Sequence, residues 1–353
     1  MMLAPVTYNL ALTTILRKRV LPVDGEVIPK LNQRVAATDV IAEASYSHSH
    51  HLIDVARILG IKPNVAEKLV SLHVGEEVSA GTVVATGFGL FSKPIKVEHS
   101  GRVVATGGGQ VLLDISQKDF QLKAGISGEI IEIIPKRGVV IQEVGGLIQG
   151  VWGNGKIARG RLHVLAQKPN EILAASQLDI SLRSLVLLAG SCQDTDSLKA
   201  AADITARGLI LSSIHPMLLD FARKMPYPII VTDIIGQQAM NASAYKILST
   251  NNQRENVSLN AGAYNRYTGA RPEIVIPLPH ADIPPVPRDV DLFAPGQAVR
   301  LCRAPHAGAK GTLVNLPSGL KTLPNGLRVM AAEVKLDNGE RITVPLVNLE
   351  VLG

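Results

Sequence analysis

Leu31-Asn-Gln-Arg-Val35-Ala-Ala-Thr-Asp-Val40-Ile41-Ala42 aligns without a gap with Val74-Gly-Glu-Glu-Val78-Ser-Ala-Gly-Thr-Val83-Val84-Ala85, at an offset of 43 residues from Leu31 to Val74. A shorter theme recurs around this repeat: Gly25-Glu-Val27-Ile28, Gly101-Arg-Val103-Val104 and Gly128-Glu-Ile130-Ile131. Each is a glycine, a charged residue and a β-branched pair. Glycine permits a sharp entry into a strand, and β-branched pairs suit a pleated, half-buried surface. The period lies in the range of solenoids. Two copies are too few to stack into one, so the reading is a closed, pseudo-symmetric sandwich of duplicated hairpins.

The second copy carries a resemblance. Val74-Gly75, Val78, Gly81, Val83 and Ala85, followed by Ser100-Gly101 and Val103, resemble the barrel-sandwich hybrid of biotinyl and lipoyl carrier domains. They are also similar to the related modules of the RnfC subunit and of RNA polymerase. The resemblance implies a fold for roughly a third of the chain. Carrier domains hold a modified lysine at a hairpin tip, in a Met-Lys-Met or Asp-Lys-Ala setting. Here the tip reads Gly87-Phe-Gly-Leu-Phe-Ser-Lys93-Pro94, and the carrier position falls near Leu90. Lys93 is displaced and precedes a proline, so it reads as a solvated loop lysine, and no cofactor is implied.

A chain of 353 residues with 46% apolar content fits two or three domains with real cores. Mean hydropathy is +0.20, yet no run of about 18 apolar residues occurs, so no transmembrane helix and no membrane partner are expected. Arg17-Lys18-Arg19 follows the apolar part of the N-terminal segment. A secretory signal has its charges first. The two cysteines, Cys192 and Cys302, fall in different modules, which fits a reduced cytoplasmic protein. Net charge is +6, divided as +5 over residues 1–168, −2 over 169–292 and +3 over 293–353. A basic excess is the footprint of nucleic acid or an acidic partner.

Taken in order, Tyr8 to Val20 reads as an opening strand. Ser45-Tyr-Ser-His48-Ser-His50-His51 lacks any recognised ligand spacing and reads as a polar linker, not a metal site. Leu52 to Leu59 places 52, 55, 56 and 59 on one helical face, with Gly60 as a C-terminal cap. A helical insertion over about 52–72 therefore separates the repeat halves. Gly150-Val-Trp152-Gly153-Asn154-Gly155-Lys156 is not a phosphate loop, because Ile157 stands where the magnesium-binding Ser or Thr belongs. Asn154-Gly155 reads as a hairpin turn.

After Pro169 apolar strands alternate with helices. The strands are 184–189, 209–211 and 228–232, and the helices 195–207, 216–224 and 241–248. That pattern predicts a small parallel sheet covered on both faces. Ligands of such sheets sit beyond the carboxyl ends of the strands. Ser191, Asp194, Ser212, Ser213, His215 and Asp233 gather there. They are candidates for a small-anion or hydrolase site, or for helix caps. Neither a Gly-x-Ser-x-Gly nor a Gly-x-Gly-x-x-Gly motif is present. Cys192 is a nucleophile only if a base adjoins it.

Residues 277–295 hold prolines 277, 279, 284, 285, 287 and 295 and read as a stiff linker. Beyond it, Gly296, Val299-Arg300-Leu301, Arg303, Pro305-His306, Gly308 and Gly311-Thr312-Leu313 resemble a KOW domain, with a return hairpin at Asp337-Asn338-Gly339-Glu340. The resemblance implies an SH3-like barrel contacting RNA, the ribosome or RNA polymerase. Arg300, Arg303, His306 and Lys310 would be the contacts.

The expected fold class is multidomain, β-rich plus α/β. It comprises a barrel-sandwich hybrid (1–168), a small Rossmann-like α/β domain (169–276), the linker and an SH3-like KOW barrel (296–353). The expected function is a non-catalytic adaptor. An enzyme or small-ligand sensor using the middle rim is the alternative. No catalytic residue, metal or cofactor is assigned. Aromatic content of 3% argues against base stacking, so RNA contact would be mainly to phosphate.

Overall fold

A computed structural model of the chain describes residues 3–47, 50–87, 94–115, 117–265, 269–280, 282–288 and 290–353. The chain is β-rich and folds into several sheets. His48, Leu90 and Lys93 lie outside the described residues.

The sequence repeat is repeated bond for bond. Strand Arg34–Val35 pairs with Gly128–Ile134, placing Gly128 opposite Val35 and Glu129 opposite Arg34. Strand Glu77–Val78 pairs with Gly101–Gly107 in the same register, Gly101 opposite Val78 and Arg102 opposite Glu77. Asn32 and Gly75 open the two copies with positive φ, 62° and 93°. Their N–H groups donate to the carbonyls of Ile130 and Val103 at 2.8 and 2.7 Å. The side chains of Gln33 and Glu76 accept the N–H of Lys30 and His73, each at 2.9 Å. The glycine theme thus supplies the partner strand of each repeat copy. A Cβ on Gly101 or Gly128 would sit 2.2 or 2.4 Å from a carbonyl oxygen of the neighbouring strand. Close approach of the strands, more than entry angle, excludes a side chain there.

The copies do not share a core. Val35, Ile41 and Ala42 pack with Ile15, Ile126, Ile130 and Ile141. Val78, Val84 and Ala85 pack with Ile53, Val103, Val111 and Leu113. Two small β units therefore replace the single closed sandwich, because each copy draws its partner strands from a different segment. A three-stranded sheet, Gln117–Lys123, Val40–Ser47 and Glu26–Val27 in that order, joins them. The histidine-bearing stretch is not a linker, since strand His50–Asp54 pairs with Gln110–Asp114. The helix starts only at Val55, capped by the Asp54 carboxylate, and ends on left-handed Gly60 as its sequence indicates.

In the middle, Leu185–Cys192, Gly208–Ile214 and Ile229–Ile235 run parallel, flanked by Ile157–Val164. Every residue of the first two strands is buried. Leu187, Leu209, Leu211 and Ile229 pack with Leu198, Ala201 and Ala222 of helices Thr195–Asp203 and Leu219–Lys224. Val186, Leu188, Ile210 and Ile230 pack with Ala244, Ile247 and Leu248 of helix Ala242–Thr250. Burial on both faces is why these strands read as unbroken apolar runs.

The sheet does not stop at residue 168. Ile157–Val164 also pairs with Val257–Asn260, and the ladder continues through Glu273–Pro277 to Gly138–Gln149. Trp152–Gly153 pairs with the opposite edge, at Ile229–Ile235. Gln149 and Trp152 are three positions apart, so the sheet curls until its Trp152–Gly153 edge comes back to the end of Gly138–Gln149. Asn154-Gly155 is accordingly not a hairpin, because the strands on either side of it pair with different neighbours. Gly155 does turn with positive φ, 82°. The Asn154 side chain pins the crossing, accepting the Ile229 N–H at 3.0 Å and donating to the Tyr227 carbonyl at 2.8 Å.

The C-terminal sheet has seven strands in the order Val290–Leu292, Leu3–Thr7, Leu349–Leu352, Ala298–Leu301, Lys310–Asn315, Ala331–Leu336 and Arg341–Pro345. The first strand of the chain thus belongs to the last module. It runs parallel to Leu349–Leu352, and Ala4 and Val6 enter a core of Val299, Leu301, Leu313 and Val334. The next strand, Asn9–Val20, leaves that sheet to pair along Gly138–Gln149. The proline-rich segment lies on this strand, with Thr13 Oγ1 donating to the Pro285 carbonyl at 3.0 Å. Among the described residues no helix is long and apolar enough to cross a membrane.

Residues 290–353 produced alone lack the strand that stands between Val290–Leu292 and Leu349–Leu352 in this sheet. They are expected to show no cooperative thermal transition by circular dichroism. Fusing residues 1–8 ahead of them through a flexible linker is expected to restore one. A sharp transition in the unfused segment would contradict this assignment of the first strand.

Candidate functional site

The carboxyl ends of the parallel strands bring together four of the six rim candidates, Ser191, Ser212, Ser213 and Asp233, all buried. The Ser213 hydroxyl lies 2.9 Å from Ser191 Oγ and 3.0 Å from the Gln238 carbonyl, and it accepts the Gln238 N–H at 3.1 Å. Gln193 Nε2 donates to Ser191 Oγ at 2.6 Å. Asp233 Oδ2 accepts the Thr232 hydroxyl at 2.8 Å and the Asn241 N–H at 3.0 Å, tying its strand to helix Ala242–Thr250. The other two candidates are exposed and serve as helix starts. Asp194 accepts the Ser197 N–H at 2.7 Å, and His215 Nδ1 accepts the Met217 N–H at 3.3 Å.

Among the described residues these groups form no pair of nucleophile and base. The imidazole of His215 is engaged by the backbone, not by a serine. Cys192 is fully buried, its Sγ donating to the Asp194 carbonyl at 3.4 Å. Burial pushes its thiol up to about 12. The thiolate is the nucleophilic form, and at neutral pH this thiol stays protonated.

The C-terminal sheet lies over the rim. Arg300 Nη1 donates to the carbonyls of Thr232 and Asp233, each at 3.3 Å. Its Nε bonds to Glu350 Oε1. Arg271 Nη1 reaches Glu350 Oε2 at 2.9 Å, and the Thr7 hydroxyl donates to the same oxygen at 3.0 Å. Lys310 Nζ stands 3.4 Å from Asp233 Oδ1. A Cβ on Gly308 would come within 2.5 Å of Ile234 Cδ1, so the turn presses directly on the end of a parallel strand.

The expected nucleic-acid contacts therefore divide. Arg300 is only 4% exposed and is not a surface residue, which corrects its reading as a contact. Its position in Ala298–Leu301 places it on the part of the sheet face that covers the rim. Lys310, opposite Arg300 in the ladder, is half-buried for the same reason. Arg303 is exposed and His306 partly so, on the turn between the two strands. Sequence reasoning missed Thr7, Arg271 and Glu350. Their partners lie dozens to hundreds of positions away, and no local pattern marks them.

Burial alone would push the Glu350 carboxyl up. Arg300 and Arg271, with hydrogen bonds from Arg300 and Thr7, outweigh it and hold the group below the usual carboxylate range. No protein-family model matches the chain, and no curated protein matches it.

Removing the charge of Glu350 leaves two guanidinium groups buried without their counter-ion. Glu350→Gln is expected to cost about 3–5 kcal/mol in urea unfolding. Glu350 stabilises the fold fully above its unfolded value, near pH 4.3. That contribution is lost as pH falls through its lower folded value. The difference in stability between wild type and Glu350→Gln should therefore hold at neutral pH and shrink under acid. A difference that grows under acid would contradict the ion-pair assignment. For the buried thiol, iodoacetamide at pH 8 is expected to label Cys192 only after unfolding, as read by peptide mass spectrometry.

Proposed function

We propose that the protein is a non-catalytic cytoplasmic adaptor that binds RNA, free or within a ribosomal or transcription complex, through its C-terminal sheet. In this reading that sheet is an SH3-like barrel of the KOW type. The middle unit is a small Rossmann-like domain, and the repeat units are relatives of the barrel-sandwich hybrid.

The observation that carries the proposal is the occupied rim. Ligands of parallel α/β sheets sit beyond the carboxyl ends of the strands. Here Arg300, Gly308 and Lys310 of the chain itself fill that place. The enzyme alternative loses its customary site, and Ser191, Ser213 and Asp233 bond to other groups of the chain. The strand–turn–strand register, with Arg300 opposite Lys310, agrees with the KOW resemblance. Arg303, Lys321, Arg328, Lys335 and Arg341 remain exposed on the C-terminal module. Cations of this kind bind phosphate with little sequence preference.

The test is fluorescence anisotropy of the full-length protein with a labelled, mixed-sequence single-stranded RNA across a salt series. With three to five phosphate contacts the log–log slope of affinity against salt is expected to be about −2 to −3.5. Absence of binding at 50 mM salt would overturn the reading (about the low end of the range where such contacts are strongest).

A further inference from the structure

Two pairs of cations face each other across the strands of the C-terminal sheet. Arg300 stands opposite Lys310, and Lys335 stands opposite Arg341. Like charges directly opposite each other destabilise a sheet. The first pair is neutralised inside the protein, Arg300 by Glu350 and Lys310 by Asp233. Neither Lys335 nor Arg341 makes an ion pair among the described residues.

The second pair points to solvent. Val334, Leu336 and Val344 are buried in the core of the sheet, so the alternating positions 333, 335, 341 and 343 face outward. Lys335 and Arg341 are both exposed, and the exposed Thr312 lies beside Lys335 in the same row. Glu333 is an acidic residue of this face, one row further along and opposite Thr343. Asp337 and Glu340 lie in the turn between the two strands. Residues 321–329, before this strand, form a ribbon, Lys321–Thr322 against Arg328–Val329, that joins no other sheet among the described residues. Residues 313–332 contain Lys321 and Arg328 and no acidic residue. Both cations are exposed, as are Leu320 and Leu327.

We infer that the Lys335–Arg341 pair, continued by Lys321 and Arg328 on the ribbon, is the surface that takes the phosphate backbone of RNA. The inference rests on the RNA-binding reading and locates the site away from the Arg300–Lys310 pair. Phosphates between Lys335 and Arg341 would relieve a repulsion that no ion pair among the described residues relieves. Val329 of the ribbon and Lys335 are six residues apart, at most about 20 Å at 3.3 Å per residue, which bounds the distance from the pair to the ribbon. Cations repeated over such a distance suit an extended polyanion better than one small anion.

The experiment compares full-length wild type with three variants, using the same labelled RNA and a differential scanning measurement of Tm. Lys335→Ala/Arg341→Ala is expected to weaken binding about tenfold or more. It should also reduce the salt slope by about 1.4, two contacts at 0.7 each. Lys335→Glu turns a repulsive pair into an attractive one, so its Tm should hold or rise while RNA binding falls. Lys62→Ala/Lys68→Ala removes two exposed cations from the helical part of the second repeat unit and should bind as wild type. If wild type binds but the Lys335/Arg341 variant binds equally well, this site is wrong and the RNA reading stands. Loss of binding in the Lys62/Lys68 variant instead would move the site to the repeat unit. If wild type binds no RNA, both the reading and the site fall.

Discussion

One carboxylate, that of Glu350, holds four parts of the chain in register. It receives Arg300 from its own sheet, Arg271 from the segment before Glu273–Pro277, and Thr7 from the first strand. Arg300 in turn reaches two carbonyls at the end of a parallel strand. Burying such ions is costly, and the attraction between them offsets that cost only where the geometry is good and the remaining valences are met. The cluster is therefore better understood as fixing which surfaces meet than as a large source of stability. Apolar contacts at this junction could be satisfied in several orientations. A guanidinium aimed at the Thr232 and Asp233 carbonyls can be satisfied in few.

The clasp explains why module order in space differs from module order in sequence. Leu3–Thr7 lies between Val290–Leu292 and Leu349–Leu352, so the two ends of the chain complete one sheet. The chain then passes through Tyr8, whose N–H is held by Gln149, into a strand of the curled sheet. A strand that serves the last module and runs directly into the first leaves little freedom between them. The proline-rich segment, read as a spacer, is held against this same strand by Thr13. The C-terminal sheet thereby stays seated on the rim of the parallel strands.

Much of the local architecture was legible in the sequence. The parallel strands, the caps at Asp194 and Gly60, and the Asn338-Gly339 hairpin follow from patterns that span a few residues. The repeat itself was legible because its turns reuse one hydrogen-bond scheme. What could not be read was partnership. Pairing Arg34–Val35 with residues 128–134, and Glu77–Val78 with 101–107, decides whether the copies share a core. Both choices satisfy the same alternation of apolar residues. The rim failed differently. Ser191, Ser213 and Asp233 have the composition of a reactive site, and only the folded chain reveals that their polar atoms are engaged by Gln193, Gln238, Thr232 and Asn241 of the same unit and by Lys310 of the covering sheet. Arg300 looked like a surface cation because its strand neighbours alternate normally, and its acid, Glu350, lies 50 positions away.

The two cation pairs of the C-terminal sheet show how one face can serve two purposes. Rows of outward side chains succeed each other along a strand pair at a two-residue step. One row, Glu350, Arg300 and Lys310, meets the middle unit. The next, Ala298, Thr312, Lys335 and Arg341, is exposed. Positive charge in the first row is neutralised by carboxylates where the sheet packs on the middle unit. Carboxylates placed equally close to the second row would remove its repulsion and also its attraction for any anion outside. An unneutralised pair costs little where water screens it. The same pair buried against the rim would cost far more. The border between neutralised and unneutralised cations therefore falls where the sheet passes from its internal contact to solvent.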